Sequence, residues 1–183
     1  MSRGQTATTD AADDAVIEDI IEGASRLIDT YTGRTFYGRS GTHYYNAPNE
    51  KTLYIEDDDL ISITTLTNGD GTVISSNDYK LLPLNKSPKY AIYLEPGSNL
   101  AWEADDDGDS VGTISINGVW GYSSTAPHDV RQACLIIALS EYMRRFGENV
   151  TATATVTGAG VVLTPQGMPR NAAELLNTYR KLL

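Results

Sequence analysis

Of 183 residues only one is cysteine, two are histidine and two are phenylalanine, and 14 Lys and Arg face 24 Asp and Glu. Each shortage excludes something. Cys134 has no partner in the chain, so no internal disulfide staples the fold. Two His and one Cys cannot build a usual zinc site. The longest uninterrupted apolar run, Ala133 to Leu139, is far short of the roughly 20 residues that span a bilayer, so no membrane role is expected. The opening MSRGQTATTDAADD is polar and then acidic, without the apolar segment of a secretion signal, and the chain is expected to fold in a cytosol. A formal net charge of −10 argues against gripping nucleic acid, because neutralising phosphate takes clustered Lys and Arg. The length suits one domain, or one domain with an arm, and is enough for a real core.

The charge that is present is unevenly placed. Residues 1–130 hold 8 basic and 21 acidic side chains, a balance of −13, and residues 131–183 hold 6 and 3, a balance of +3. Such a split marks either a segment that docks on something acidic or a solvated face of no special role.

Periodicity divides the chain into blocks. Val16, Ile17, Ile20, Ile21, Ala24, Leu27, Ile28 and Tyr31 follow the spacing of an amphipathic helix, expected over about 12–32. Acidic residues open it and Gly33 closes it. From His43 to Tyr122 the pattern becomes antiparallel β. Strands are expected at Thr52–Glu56, Leu60–Thr67, Tyr79–Leu82, Tyr90–Leu94 and Val111–Trp120, with a type I′ hairpin turn at Asn68-Gly69-Asp70-Gly71. A second helix follows Ser123-Ser124-Thr125, with Pro127 in its first turn and Asp129 near its positive end. Val130, Ala133, Cys134, Ile137, Ala138, Glu141 and Tyr142 make one stripe, and Leu135, Ile136 and Leu139 extend apolar character almost all round. Such a helix belongs in a core or an oligomer interface. Gly147 is expected to end it. Residues 148–168 are rich in Thr, Ala and Gly and read as a hairpin or as an arm that a partner orders. A last helix is expected over Pro169–Leu183, with Ala172, Leu175, Leu176, Tyr179 and Leu182 on one face and Arg170, Arg180 and Lys181 beside it.

Chemistry is sparse. Asp105-Asp106-Asp107-Gly108-Asp109 invites a calcium reading, but an EF-hand loop needs Gly at its sixth position, and counted from Asp105 the Gly falls fourth. A solvated acidic turn fits better, and Glu56-Asp57-Asp58-Asp59 reads the same way, discouraging wrong strand pairing. His43 and His128 are the only imidazoles for a catalytic base, and His128 reads as a surface residue at a helix start. Cys134 reads as a small apolar core residue. Gly158-Ala159-Gly160 lacks the strand-turn-helix context of a phosphate loop, and Asn149-Val150-Thr151 is a glycosylation sequon without a secretory route. Nothing points to an enzyme. Eleven Tyr, seven of them between His43 and Tyr122, fit either β-strand preference or surfaces buried against another protein.

Two stretches together resemble the head-to-tail connector (adaptor, head-completion) proteins of long-tailed bacteriophages and gene transfer agents. One is Ala24-Ser-Arg-Leu-Ile28-Asp29-Thr-Tyr31-Thr32-Gly33-Arg34-Thr-Phe36. The other is Ile114-Ser-Ile116-Asn-Gly118-Val-Trp120-Gly121-Tyr122, then Pro127, Val130 and Ala133. Leu175-Leu176-Asn-Thr-Tyr179-Arg180 is a fainter echo. Gly33, Arg34, Gly118, Trp120, Gly121, Tyr122 and Pro127 read as fold-organising: Gly118 and Gly121 let the strand bend while the indole packs under the following helix. Arg34 bonds either the last helical carbonyls or a neighbouring carboxylate.

The resemblance implies an α+β virion protein with an N-terminal helix, an antiparallel β block, a long buried helix, a flexible arm and a short C-terminal helix. A connector core over 1–147 and a docking arm over 148–183 are expected. It further implies a ring, twelve-fold, that binds the portal, meets a tail or stopper connector below, and lets genome DNA pass without specific binding. It needs no cofactor and no metal. The docking set is Arg170, Leu175, Leu176, Tyr179, Arg180 and Lys181. The alternative is a calcium-stabilised β binding module using Asp105 to Asp109; a hydrolase using His128 is the third reading.

Overall fold

The structure is a computed structural model, and it describes residues 11–56, 58–146, 154–157, 160–163 and 167–181. The chain divides into two compact units, Met1–Gly33 with His128–Leu183, and Arg34–Pro127. The boundary expected after residue 147, Gly147 as a helix stop, the sequon at 149–151 and Gly158-Ala159 lie outside the described residues.

The first unit is helical. α1 (Ala11–Thr32), α2 (His128–Phe146) and α3 (Arg170–Leu176) pack together, with α2 against both of the others. Only part of each predicted stripe is buried: Ile20, Ala24 and Ile28 of α1, Val130, Ala133, Ile137 and Ala138 of α2, Ala172 and Leu176 of α3, while Ile17, Ile21 and Leu27 of α1 and Tyr142 of α2, counted in the same stripes, are exposed. Ala24, Ala133 and Ala172 are small, which allows close helix approach. Gly33 closes α1 in the left-handed conformation at φ +66°, its N–H donating to Asp29 O at 2.9 Å. The Lys181 N–H donates to Thr32 O at 2.8 Å, so the C-terminal segment satisfies a carbonyl at the end of α1.

Two expectations for this unit change. Pro127 immediately precedes α2, which starts at His128, instead of lying in its first turn. The last helix stops at Leu176 and tightens into a 3₁₀ turn, Asn177–Tyr179. Asn and Thr at 177 and 178 compete with the helix through their side chains, and the Asn177 Oδ1 accepts the Tyr31 hydroxyl at 2.7 Å. Between α2 and α3, β7 (Ala154–Thr157) and β8 (Gly160–Leu163) pair antiparallel, the hairpin alternative for this stretch.

The second unit is β. β1 (Arg39–Tyr45), β6 (Ile114–Trp120) and β3 (Leu60–Thr67) form one antiparallel sheet in the order β1-β6-β3, and β2 (Thr52–Tyr54), β5 (Ala91–Leu94) and β4 (Tyr79–Leu82) form a second in the order β2-β5-β4. Both contribute to one core of Tyr45, Leu53, Leu60, Leu66, Ile92, Leu94, Ile114, Ile116 and Trp120, with Ile55, Ile74 and Trp102 from the loops. Along β6 every second residue from Ile114 to Trp120 is buried, the period of a half-buried strand. β1 is a strand the sequence pattern did not predict. Its Arg-Ser-Gly start has little β preference, and it forms because it pairs with β6, Arg39 opposite Trp120 through Tyr45 opposite Ile114.

The Asn68–Gly71 turn differs from the expected type I′. Of its residues only Gly71 has positive φ, +81°, and its N–H closes on Asn68 O at 3.0 Å. This is a turn of ordinary hand followed by a left-handed glycine. Asn68 is buried because it latches a loop: its Nδ2 donates to Ala101 O at 2.9 Å and its Oδ1 accepts Glu103 N–H at 3.0 Å. Asp70 accepts from the N–H and hydroxyl of Thr72, which holds its carboxyl below the ordinary aspartate range.

The acidic runs are also structural. Asp59 is buried and paired with Arg34, and Asp58 pairs with Arg39 at 2.9 Å, so Glu56 to Asp59 is not simply a solvated turn; Asp57 lies outside the described residues. In the loop at 105–109, Asp105 Oδ1 accepts the N–H groups of Asp107 and Asp109, and Asp109 Oδ1 accepts that of Val111. The carboxylates hold the loop's own backbone. Among the described residues no cluster of three or more His, Cys, Asp and Glu could hold a metal ion, and no helix is long and apolar enough to cross a membrane.

Candidate functional site

Six of the seven predicted fold-organising residues fall in the β unit, and three of them, Arg34, Gly121 and Tyr122, converge on one corner. Asp59 carries both oxygens to Arg34 Nη1 at 2.6 and 2.7 Å. The Arg34 guanidinium lies 5.3 Å from the centroid of the Tyr122 ring, which is tilted against buried Phe36 at 5.4 Å. The backbone closes the same corner: Gly121 N–H donates to Asp59 O at 2.6 Å and Tyr122 N–H to Thr35 O at 2.7 Å. The neighbouring carboxylate, one of the two partners expected for Arg34, is Asp59. Asp59 was the missed member, and its own acidic run masked it.

Gly118 and Gly121 answer to close backbone approach. A Cβ on Gly118 would stand 2.3 Å from Ser62 O, where the β3–β6 register shifts between Leu60 and Ser62. Only glycine lets β3 bulge that near β6. Gly121 sits at φ +134°, and a Cβ there would stand 2.4 Å from Tyr37 O. The indole of Trp120 is stacked on His43 at 3.9 Å and 7°, near Tyr45 at 6.2 Å, and its Nε1 donates to Gly41 O at 3.0 Å. These partners belong to β1. His43 is thus a stacking residue inside a strand, and His128 is an exposed one at the start of α2.

The predicted docking residues divide. Leu176 is 0% exposed and completes the helical core. Tyr179 approaches Asp129 at 3.5 Å, and Arg180 lies 5.3 Å over the Tyr31 ring. Leu175, Tyr179 and Lys181 are half-buried, while Arg170 and Arg180 are exposed, with Arg170 pairing to Glu174 at 3.1 Å. Of the apolar face of the last helix, Ala172 and Leu176 are buried within their own chain. Cys134 is half-buried, its sulfur 3.7 Å from the Ser25 hydroxyl.

The far end of α2 carries a compact charge cluster. Glu141 accepts from Arg144 and Arg145 at 2.6–2.8 Å, and these bonds hold its carboxyl at about 2, well under the ordinary glutamate value of 4.5. Because the folded value is depressed, the contribution is complete above about pH 4.5 and is lost as pH falls towards 2. The group is largely solvated, so the loss is about 0.5 kcal/mol. Far-UV circular dichroism should show the end of α2 fraying over that window, and Glu141→Gln should flatten the change.

Opposite its buried stripe, α2 exposes Leu135, Leu139, Tyr142, Met143 and Phe146. The sequence signalled this surface, because a helix apolar all round needs a second neighbour.

A family model described as Head completion protein matches residues 4–182. No curated protein sequence matches. Among solved structures, a chain in the neck of a native GTA particle computed with C12 symmetry is 15% identical, with 92% of this chain and 84% of that chain covered at a TM-score of 0.60. A chain in the neck of an empty GTA particle computed with C6 symmetry is 16% identical over 93% and 80%, at 0.59. A chain in the virion of a native gene transfer agent particle is 17% identical over 100% and 85%, at 0.62. At these identities the likeness is one of fold. The family match spans nearly the whole chain, both units included: this protein belongs to the head completion protein family.

Proposed function

We propose that this chain is a structural component of the virion, a head-to-tail connector whose copies form a twelve-fold ring beneath the portal and pass the genome to a tail or stopper connector below. The observation that carries the reading is the family match over residues 4–182, supported by fold likeness to chains in GTA necks that have cyclic symmetry. Such a role asks for a rigid corner and complementary surfaces, and no reacting group.

Charge supports the conduit part of the reading. Residues 34–127 hold 6 basic and 13 acidic side chains. A channel wall of that sign lets phosphate slide past instead of binding it. The basic residues of the C-terminal third share the helical unit with acidic α1, so the sequence split at residue 130 becomes two signs on one unit.

For portal docking, Arg170 and Arg180 are the members of the predicted set that point outward, with Leu175, Tyr179 and Lys181 beside them and Leu176 anchoring the segment from below. The test is to add the purified protein to portal-bearing heads and image the portal vertex. Arg170→Glu with Arg180→Glu should leave the fold intact and weaken that binding.

A further inference from the structure

The outer face of α2 has no partner within the described residues. Leu135 and Leu139 are 67% and 62% exposed, and Tyr142, Met143 and Phe146 continue the same ridge at helical spacing, with Tyr142 and Phe146 rings 5.2 Å apart. These five side chains turn away from Val130, Ala133 and Ile137, which serve the core. A contiguous apolar patch of this kind on a chain with net charge −10 marks an interaction surface.

The charges around the ridge favour one occupant. Exposed Arg131 stands at its start, and at its end exposed Arg144 and Arg145 share the single carboxylate of Glu141, which leaves one positive charge in excess there. On the same unit, α1 shows a face of opposite sign: Ile17 and Ile21, 41% and 43% exposed, lie beside exposed Asp14, Glu18 and Glu22. Arg26 is the one basic residue in α1, and it pairs with Asp29 at 3.4 Å. Both faces carry exposed apolar side chains, and they oppose in charge. Self-pairing of the ridge would set Arg against Arg.

We infer that the outer ridge of α2 receives the exposed Asp14–Glu22 face of α1 from a second copy of this chain. The inference rests on the ring reading above and names the two faces that would close the ring. A contact between two different faces is heterologous, and repetition of it yields a ring or a filament, whereas a self-complementary contact stops at a dimer. Leu139 and Tyr142 lie centrally and would act as the anchors.

The experiment places the photo-crosslinker p-benzoylphenylalanine at Leu139 in full-length protein, assembles it on portal-bearing heads and irradiates. The expected result is a ladder of self-crosslinked chains whose joined peptide maps to residues 14–22 of another copy. Crosslinks to α2 of another copy, to residues 147–166 of the same chain, or only to a different protein would overturn the inference. The same samples imaged by electron microscopy separate the two levels: a ring without the α2-to-α1 crosslink removes this interface and keeps the ring, and no ring removes both. Leu139→Asp is a second probe. It should leave the melting of the isolated protein unchanged and lower incorporation on the portal by at least about tenfold; incorporation at the normal level would also overturn the inference.

Discussion

Gly121→Ala is expected to destabilise the β unit by about 2–4 kcal/mol, a large effect for a single methyl group. At φ +134° an L side chain is strained, and the added Cβ would stand 2.4 Å from Tyr37 O, a backbone atom that cannot swing aside. Relief would move the strand end and break the bonds that Gly121 and Tyr122 donate to Asp59 and Thr35. With Asp59 displaced, Arg34 would lose the carboxylate that neutralises it. Urea or thermal unfolding followed by tryptophan fluorescence should show the loss, because Trp120 is adjacent and buried. Gly41→Ala provides the contrast: a Cβ there meets nothing within 4 Å, and it should unfold like the parent. Parent-like stability of Gly121→Ala would mean that the corner is not the rigid element described.

Leu176→Ala is expected to cost about 2–5 kcal/mol, the range for removing a fully buried leucine from a core that relaxes little. Deleting residues 165–183 should do more. It removes Leu176 and Ala172, both fully buried, and the bond that the Lys181 N–H donates to Thr32 O. The family resemblance implies that residues 148–183 are a docking arm. The structure makes it part of the helical unit, so the truncated chain should melt earlier and expose α2. Circular dichroism melting of both variants checks this, and a truncation that melts like the parent would return the segment to a purely docking role.

What the sequence made legible follows from where its signals are local. α1, β3 and β4 appear at or within a residue of their expected bounds, because each has a complete periodic pattern bounded by turn residues or a glycine cap. β1 was missed because an edge strand with an exposed Arg-Ser-Gly start is specified by its partner β6 and not by its own composition. Gly33, Gly118 and Gly121 stand out in the sequence, and the structure places each in a different setting. Gly33 is a cap that sequence can show, while Gly118 is set by a bulge in β3, some 56 residues earlier in the chain. Asp59 and His43 were invisible for the same reason: a buried ion pair and a ring stack are made by tertiary neighbours. The outer α2 ridge was legible as surplus hydrophobicity, and only the fold shows which side of the helix carries it.

The central claim is that copies of this chain form a ring at the portal. Purified full-length protein mixed with portal-bearing, DNA-filled heads and imaged by electron microscopy tests it most directly. The account predicts added ring density of twelve copies beneath the portal and heads that then accept tails. Portal vertices unchanged at saturating protein, with the chain remaining monomeric in solution, would contradict it.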